Sequence, residues 1–349
     1  MPTPTIPAGN LFMNATTYTG TSATQVITNG AAGASFQPDL VWMKARNNAN
    51  YHWLTNSVTG TGEYLSSNDT IAARTGVTDA LTSFNSNGFS LGVNTSDAYV
   101  AAGVNYTGRT YVGWQWKAGG TAVTNTSGTI SSQVSANTTS GFSIVTYTGT
   151  GANATVGHGL GVAPSMIIVK RRDAGSSGWS VYFTTLAAGY VLSLQSTGAQ
   201  ANSPTRFTTT LPTSTVFSIG TDSDLNASAG TYVAYCWSEI AGFSKFGSYT
   251  GNGSADGPFV YTGFRPKFVM IKSTTTSVPW VMYDTSRDPY NVMTSNLYPN
   301  LANAEGVGIT IDFLSNGFKP RTSAGDVNPS GNAIYMAFAE NPFKYANAR

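Results

Sequence analysis

The chain states one pattern three times. The triplet Tyr-Thr-Gly stands at Tyr18-Thr19-Gly20, Tyr147-Thr148-Gly149 and Tyr249-Thr250-Gly251. After each, a proline opens an apolar run that ends in lysine: Pro38 to Lys44, Pro164 to Lys170 and Pro266 to Lys272. A tryptophan follows eight or nine residues later, at Trp53, Trp179 and Trp280. Each unit closes on an aromatic run, Tyr111 to Trp116, Tyr232 to Trp237 and Ile334 to Phe338. A period of roughly 100 residues is too long for a solenoid repeat and long enough for a domain with its own core.

The units read as β structure. Short runs of Val, Ile, Thr, Tyr and Phe alternate with turn clusters, and no dozen-residue stretch places apolar side chains at helical spacing. Asn85-Ser-Asn-Gly88 and Ser315-Asn-Gly317 place Asn-Gly where hairpin turns want positive φ. Met166–Lys170 and Trp179–Phe183 form an expected hairpin. The expected architecture is all-β: three tandem antiparallel β-sandwich or jelly-roll-like domains at residues 18–118, 141–245 and 246–349. An extended arm (1–17), held out of helix by prolines at 2, 4 and 7, precedes them. A Gly/Ser/Thr-rich linker at 119–140, with one short strand at Thr129–Val134, lets unit one swing; the short second junction couples units two and three rigidly. The lysine and closing runs are apolar at successive positions, so both faces need cover. Subunit contacts are the expected cover, and with them a homotrimer.

Charged residues make up 10% of the chain and the formal net charge is +2, which offers no basic face for nucleic acid. Lys170-Arg171-Arg172 reads as a solvated hairpin end. No apolar stretch has the length of a membrane span, so membrane insertion is not expected. Cys236, the one cysteine, reads as a small buried apolar residue.

Candidate chemistry is sparse. His52 and His158 lack the acid partner that a nucleophilic triad needs. Glu239 and Glu340 each fall two residues past a closing run, so they would occupy separate domains and read as strand-end carboxylates paired with Lys or Arg. Asp284 and Asp288 read as a turn with Arg287 paired locally. Asp222-Ser223-Asp224 is half of a calcium loop without the remaining oxygens. Trp53, Trp179 and Trp280 read as repeated core residues before sugar platforms. No catalytic, cofactor-binding or metal-ligating residue is assigned, and no enzymatic activity or cofactor is expected.

With these repeats in view, the chain resembles tail-fibre-like virion proteins of tailed bacteriophages. The resemblance is carried by Gly141 to Pro164, by Phe246 to Phe259 and by the ending Ile334 to Phe343; it is strong over about 105–349. It implies a non-enzymatic particle component, with other virion proteins as partners. The expected role is a short tail fibre, knob or receptor-binding subunit at the virion surface. It would meet host-surface polysaccharide or protein through the loops Ser57–Asp79 and Asn291–Gly306. The alternative is a capsid-decorating protein held by its N-terminal arm; a polysaccharide-cutting tailspike ranks last.

Overall fold

The computed structural model describes residues 9–30, 35–94 and 103–340. The chain is nearly all β. Each unit builds its main sheet in the same order: opening strand, closing strand, lysine strand, tryptophan strand. In unit one these are Met13–Thr19, Thr110–Trp116, Leu40–Ala45 and Trp53–Asn56. In unit three they are Ser244–Thr250, Asn332–Ala339, Pro266–Ser273 and Val281–Asp284. Unit two uses Phe142–Thr148, Thr231–Trp237, Met166–Arg171 and Trp179–Phe183 and adds strands at both edges. All pairings within these sheets are antiparallel. The hairpin expected at Trp179 forms, with Met166 opposite Phe183 and Lys170 opposite Trp179.

Side-chain alternation explains why the lysine and closing strands are apolar throughout. One set of alternate residues, Leu40 and Trp42, Met166 and Ile168, Phe268 and Met270, enters a single core shared by all three units. The other set, Val41 and Met43, Ile167 and Val169, Val269 and Ile271, enters a separate outer core for each unit. A small sheet packs over each outer core, such as Gln25–Thr28, Leu81–Asn85 and Gly88–Leu91 in unit one. The last large aromatics of the closing strands meet in the shared core: Trp116 lies 6.0 Å from both Trp237 and Phe338, edge to face. The second face is therefore covered within one chain, and strand burial supplies no ground for a homotrimer.

Surface area distinguishes a fused body from three beads. Three separate domains of one-third this mass would expose about 18,000 Å², and a single globule about 13,500 Å², by size scaling. The chain exposes 12,211 Å². The swinging first unit is thus corrected: it shares its core with the other two. The 119–140 linker is corrected as well, because Val123–Asn125 and Ser132–Asn137 extend the sheet of unit two. Of the 1–17 arm, residues 1–8 lie outside the described residues, Gly9–Leu11 form a 3₁₀ turn, and Met13–Thr19 is the opening strand.

The Tyr-Thr-Gly signature has a mechanical reason. The hydroxyls of Tyr18, Tyr147 and Tyr249 donate to the carbonyls of Val104, Leu225 and Val327. The next residue in each case is a fully buried asparagine: Asn105, Asn226 and Asn328. Its Oδ1 accepts the backbone N–H just past the triplet, from Thr21, Thr150 and Asn252. Its Nδ2 donates to two loop carbonyls, Ala152 and Gly220 in unit two. A Cβ on Gly20, Gly149 or Gly251 would stand 2.1–2.3 Å from the carbonyl oxygen of the residue after that asparagine, so only glycine fits.

Glycine also decides the two Asn-Gly hairpins, in another way than expected. The two-residue turns are Ser86-Asn87 and Ser315-Asn316, and the glycine is the first residue of the return strand. A Cβ on Gly88 or Gly317 would lie 1.9 or 2.1 Å from the carbonyl oxygen of Ile27 or Val260 on the adjacent strand. Close approach of a third strand sets the residue at Gly317, without a positive φ.

Candidate functional site

The polar residues that sequence reasoning singled out converge on the seams between units. The chain after each tryptophan strand forms a strap that crosses to the next unit, in cyclic order. The strap of unit one donates Ala73 N–H to the carbonyl of Arg172, that of unit two Gln200 N–H to Thr274, and that of unit three Glu305 N–H to Arg46. The three acceptors are each two residues past the repeated lysine. A head-to-tail contact that closes after three steps is the geometry of a cyclic trimer, here built from one polypeptide.

The repeated lysines are buried in these seams and cap carbonyls. Lys170 Nζ donates to Ser177 O at 2.9 Å and to Thr70 O of unit one at 3.3 Å. Lys272 Nζ donates to Ser273 O at 2.9 Å and to Thr197 O of unit two at 3.0 Å. Lys44 Nζ donates to Ala45 O at 2.8 Å. Burial pulls all three amines down, Lys44 to about 7 and the other two to about 8. The reading of Lys170-Arg171-Arg172 as a solvated hairpin end is corrected: Lys170 is fully buried, and Arg172 grips Glu63 of unit one with two hydrogen bonds of 2.6 and 2.7 Å.

Next to each lysine a ring nitrogen reaches across the seam. Trp179 Nε1 donates to Ser66 O at 3.0 Å and Trp280 Nε1 to Ser193 O at 3.1 Å. In unit one this register position belongs to His52, because Trp53 pairs with Met43 and not with Lys44. His52 Nε2 lies 2.9 Å from Tyr298 O of unit three, and Nδ1 accepts from Trp42 Nε1 at 2.8 Å. Those partners select the neutral tautomer protonated on Nε2, and burial holds the ring's pKa well below its ordinary value. Trp53 turns instead into the outer core of unit one. All three repeated tryptophans are buried, which leaves them unavailable as sugar platforms.

The carboxylates are likewise occupied. Asp284 and Arg287, both fully buried, pair at 2.6 Å, and Asp284 also accepts Trp114 Nε1 from unit one at 3.0 Å. Arg287 continues to Glu305, which takes Arg46 of unit one in a two-pronged bond. The pairing of Arg287 is thus local and also spans a seam. Asp288 accepts the N–H groups of Thr294 and Ser295. Asp222 caps the short helix Ser223–Asn226, and Arg206 contacts both Asp222 and Asp224. Glu239 pairs with Lys245 and Glu340 with Arg265. His158 is buried, with Nε2 3.1 Å from Thr213 O. The Cys236 thiol is pushed far up by burial. Among the described residues no three His, Cys, Asp or Glu side chains gather as a metal site.

The two loops expected to carry recognition are parts of the straps. In Ser57–Asp79, Glu63 to Ser67 are buried, with Glu63 and Ser66 bonded to unit two and Ser67 to unit three; in Asn291–Gly306, Met293, Asn296 and Leu297 are buried. What remains exposed is unevenly shared. Among the described residues the three exposed aromatics are Phe259, Tyr261 and Tyr290, all in unit three, and Tyr290 is 82% exposed. Val292 and Val307 of the same unit are exposed too.

A family model for a domain of unknown function, DUF7483, matches residues 8–342. The chain belongs to that family. The matched span takes in all three units and so follows the shared core, not the single repeat. No curated protein matches the chain.

Proposed function

We propose that this DUF7483 protein is a virion structural component that meets the host surface, with unit three as its recognition face and units one and two as its frame. The observation that carries the reading is that, among the described residues, the three exposed aromatics all lie on one unit of a triple-clasped scaffold. Exposed aromatic groups on a rigid support supply large contact area at low entropy cost, which is what an adhesive surface needs. The seams spend their charged and aromatic groups on cohesion, which favours display over catalysis. The particle context rests on the resemblance to tail-fibre-like proteins. The test is immunogold electron microscopy of intact particles, together with adsorption of the purified chain to bacteria that support the phage. Label at the tail tip and saturable adsorption are expected. Label spread over the shell, with no adsorption, overturns this in favour of a decorating protein.

A further inference from the structure

Unit three departs from its siblings in the length of one connection. The connection from Tyr-Thr-Gly to the next strand occupies residues 21–24 in unit one and 150–153 in unit two, but 252–259 in unit three. The longer loop brings Asp256 against the end of the strand Gly317–Pro320, where it pairs with Lys319 at 2.7 Å and Arg321 at 3.2 Å. Arg321 also holds Asp312 at 3.1 Å. Facing this cluster is Val292, two residues past Tyr290. Between them runs an open groove of about 550 Å³, lined by Ala255, Asp256, Val292, Thr310 and Arg321. That size falls among ordinary small-ligand sites of about 300–1,000 Å³.

We propose that this groove binds a neutral saccharide of the host surface, an inference that rests on the adhesive reading above. Two carboxylates stand against two cations, so the site has no surplus charge to attract a polyanion. Asp256 is 75% exposed and Arg321 41% exposed, which leaves an acceptor and a donor free to take adjacent hydroxyls of one sugar. Val292, an exposed apolar residue of the lining, offers a contact for the C–H side of the ring. A protein partner would select a continuous apolar patch with its charges at the rim; here the charged pair lines the groove itself.

The experiment uses the full chain on an array of immobilised hexose and N-acetylhexosamine oligosaccharides, followed by titration of the best binder. Val292→Asp and Asp256→Asn each weaken that binding at least tenfold, while Leu211→Ser on unit two leaves it unchanged. These side chains are solvent-exposed, so melting temperatures stay within experimental error and a folding defect is recognised directly. Binding unaffected by both variants, or no saccharide retained, overturns the proposal. Adsorption to bacteria separates it from the broader reading. Loss of adsorption after periodate oxidation of the cell-surface sugars supports the groove. Adsorption that survives periodate but not protease points to a protein receptor, which sinks the saccharide and leaves adhesion standing. No adsorption at all removes both.

Discussion

Replacing Asn226 with alanine tests whether the buried asparagine, and not the apolar core alone, fixes the top of each unit. The side chain is fully buried. It accepts from Thr150 N–H at 2.7 Å and donates to Ala152 O at 2.6 Å and Gly220 O at 2.7 Å. Truncation strands Gly220 O in the interior, at about 1–3 kcal/mol, and removes the bonds to Thr150 N–H and Ala152 O in exposed residues that water can reach, at about 0.5–1.5 kcal/mol each. A loss of about 2–6 kcal/mol follows, a large part of the 5–15 kcal/mol that a folded protein commands. Because Asn105 and Asn328 make the same three kinds of bond, their alanine variants should lose similar amounts. Urea unfolding followed by tryptophan fluorescence reads the effect, with exposed Asn202→Ala as reference. A loss below about 1 kcal/mol in Asn226→Ala, with an unchanged slope, would refute the reasoning.

Further predictions concern the glycines, the seams and the assembly. Gly149→Ala places a Cβ 2.3 Å from a backbone oxygen and should cost at least about 3 kcal/mol, the upper range of overpacking; Gly175→Ala meets nothing within 4 Å and should leave the melting temperature in place. Lysines depressed to about 7 and 8 in the fold bind fewer protons there than in the unfolded chain, whose lysines titrate near 10.4. Unfolding free energy should therefore rise from about pH 7 to pH 9.5, below the range in which tyrosines titrate; a falling melting temperature across that window contradicts the placement of the amines. Light scattering should give the 36.6 kDa mass of one chain, since the doubly apolar strands are covered internally; a stable trimer would require a different interface. Calorimetry should show one cooperative transition, and three resolved transitions would refute the shared core.

Much of the fold was legible because strand pattern and burial are local properties. The hairpin at Trp179, the burial of the repeated tryptophans and the all-β class follow from alternation and β-propensity. What covered the second strand face was not legible, because two apolar faces say only that two covers exist. The straps were misread as free loops for a related reason: Ser66, Thr70 and Thr197 contribute backbone carbonyls to the seams, and a carbonyl leaves no trace in residue type. The asparagines could have been found. Each stands six residues before the start of its closing run at Tyr111, Tyr232 or Ile334, a constant spacing hidden in an Asn-rich chain. His52 was masked by its neighbour Trp53, which satisfied the expected spacing while pointing into the other core. The groove of unit three becomes visible only when the three connections are compared in length.

The cyclic clasp also settles a matter of stoichiometry. In an assembly of three identical subunits, every substitution appears three times, and a change that suits one position must be tolerated at the other two. Here the copies are encoded separately and always meet in equal number. One seam can exchange an indole for an imidazole, and one loop can lengthen into a groove, while the other copies keep the frame closed. Three-part architecture held in a single reading frame can thus specialise one part at a time.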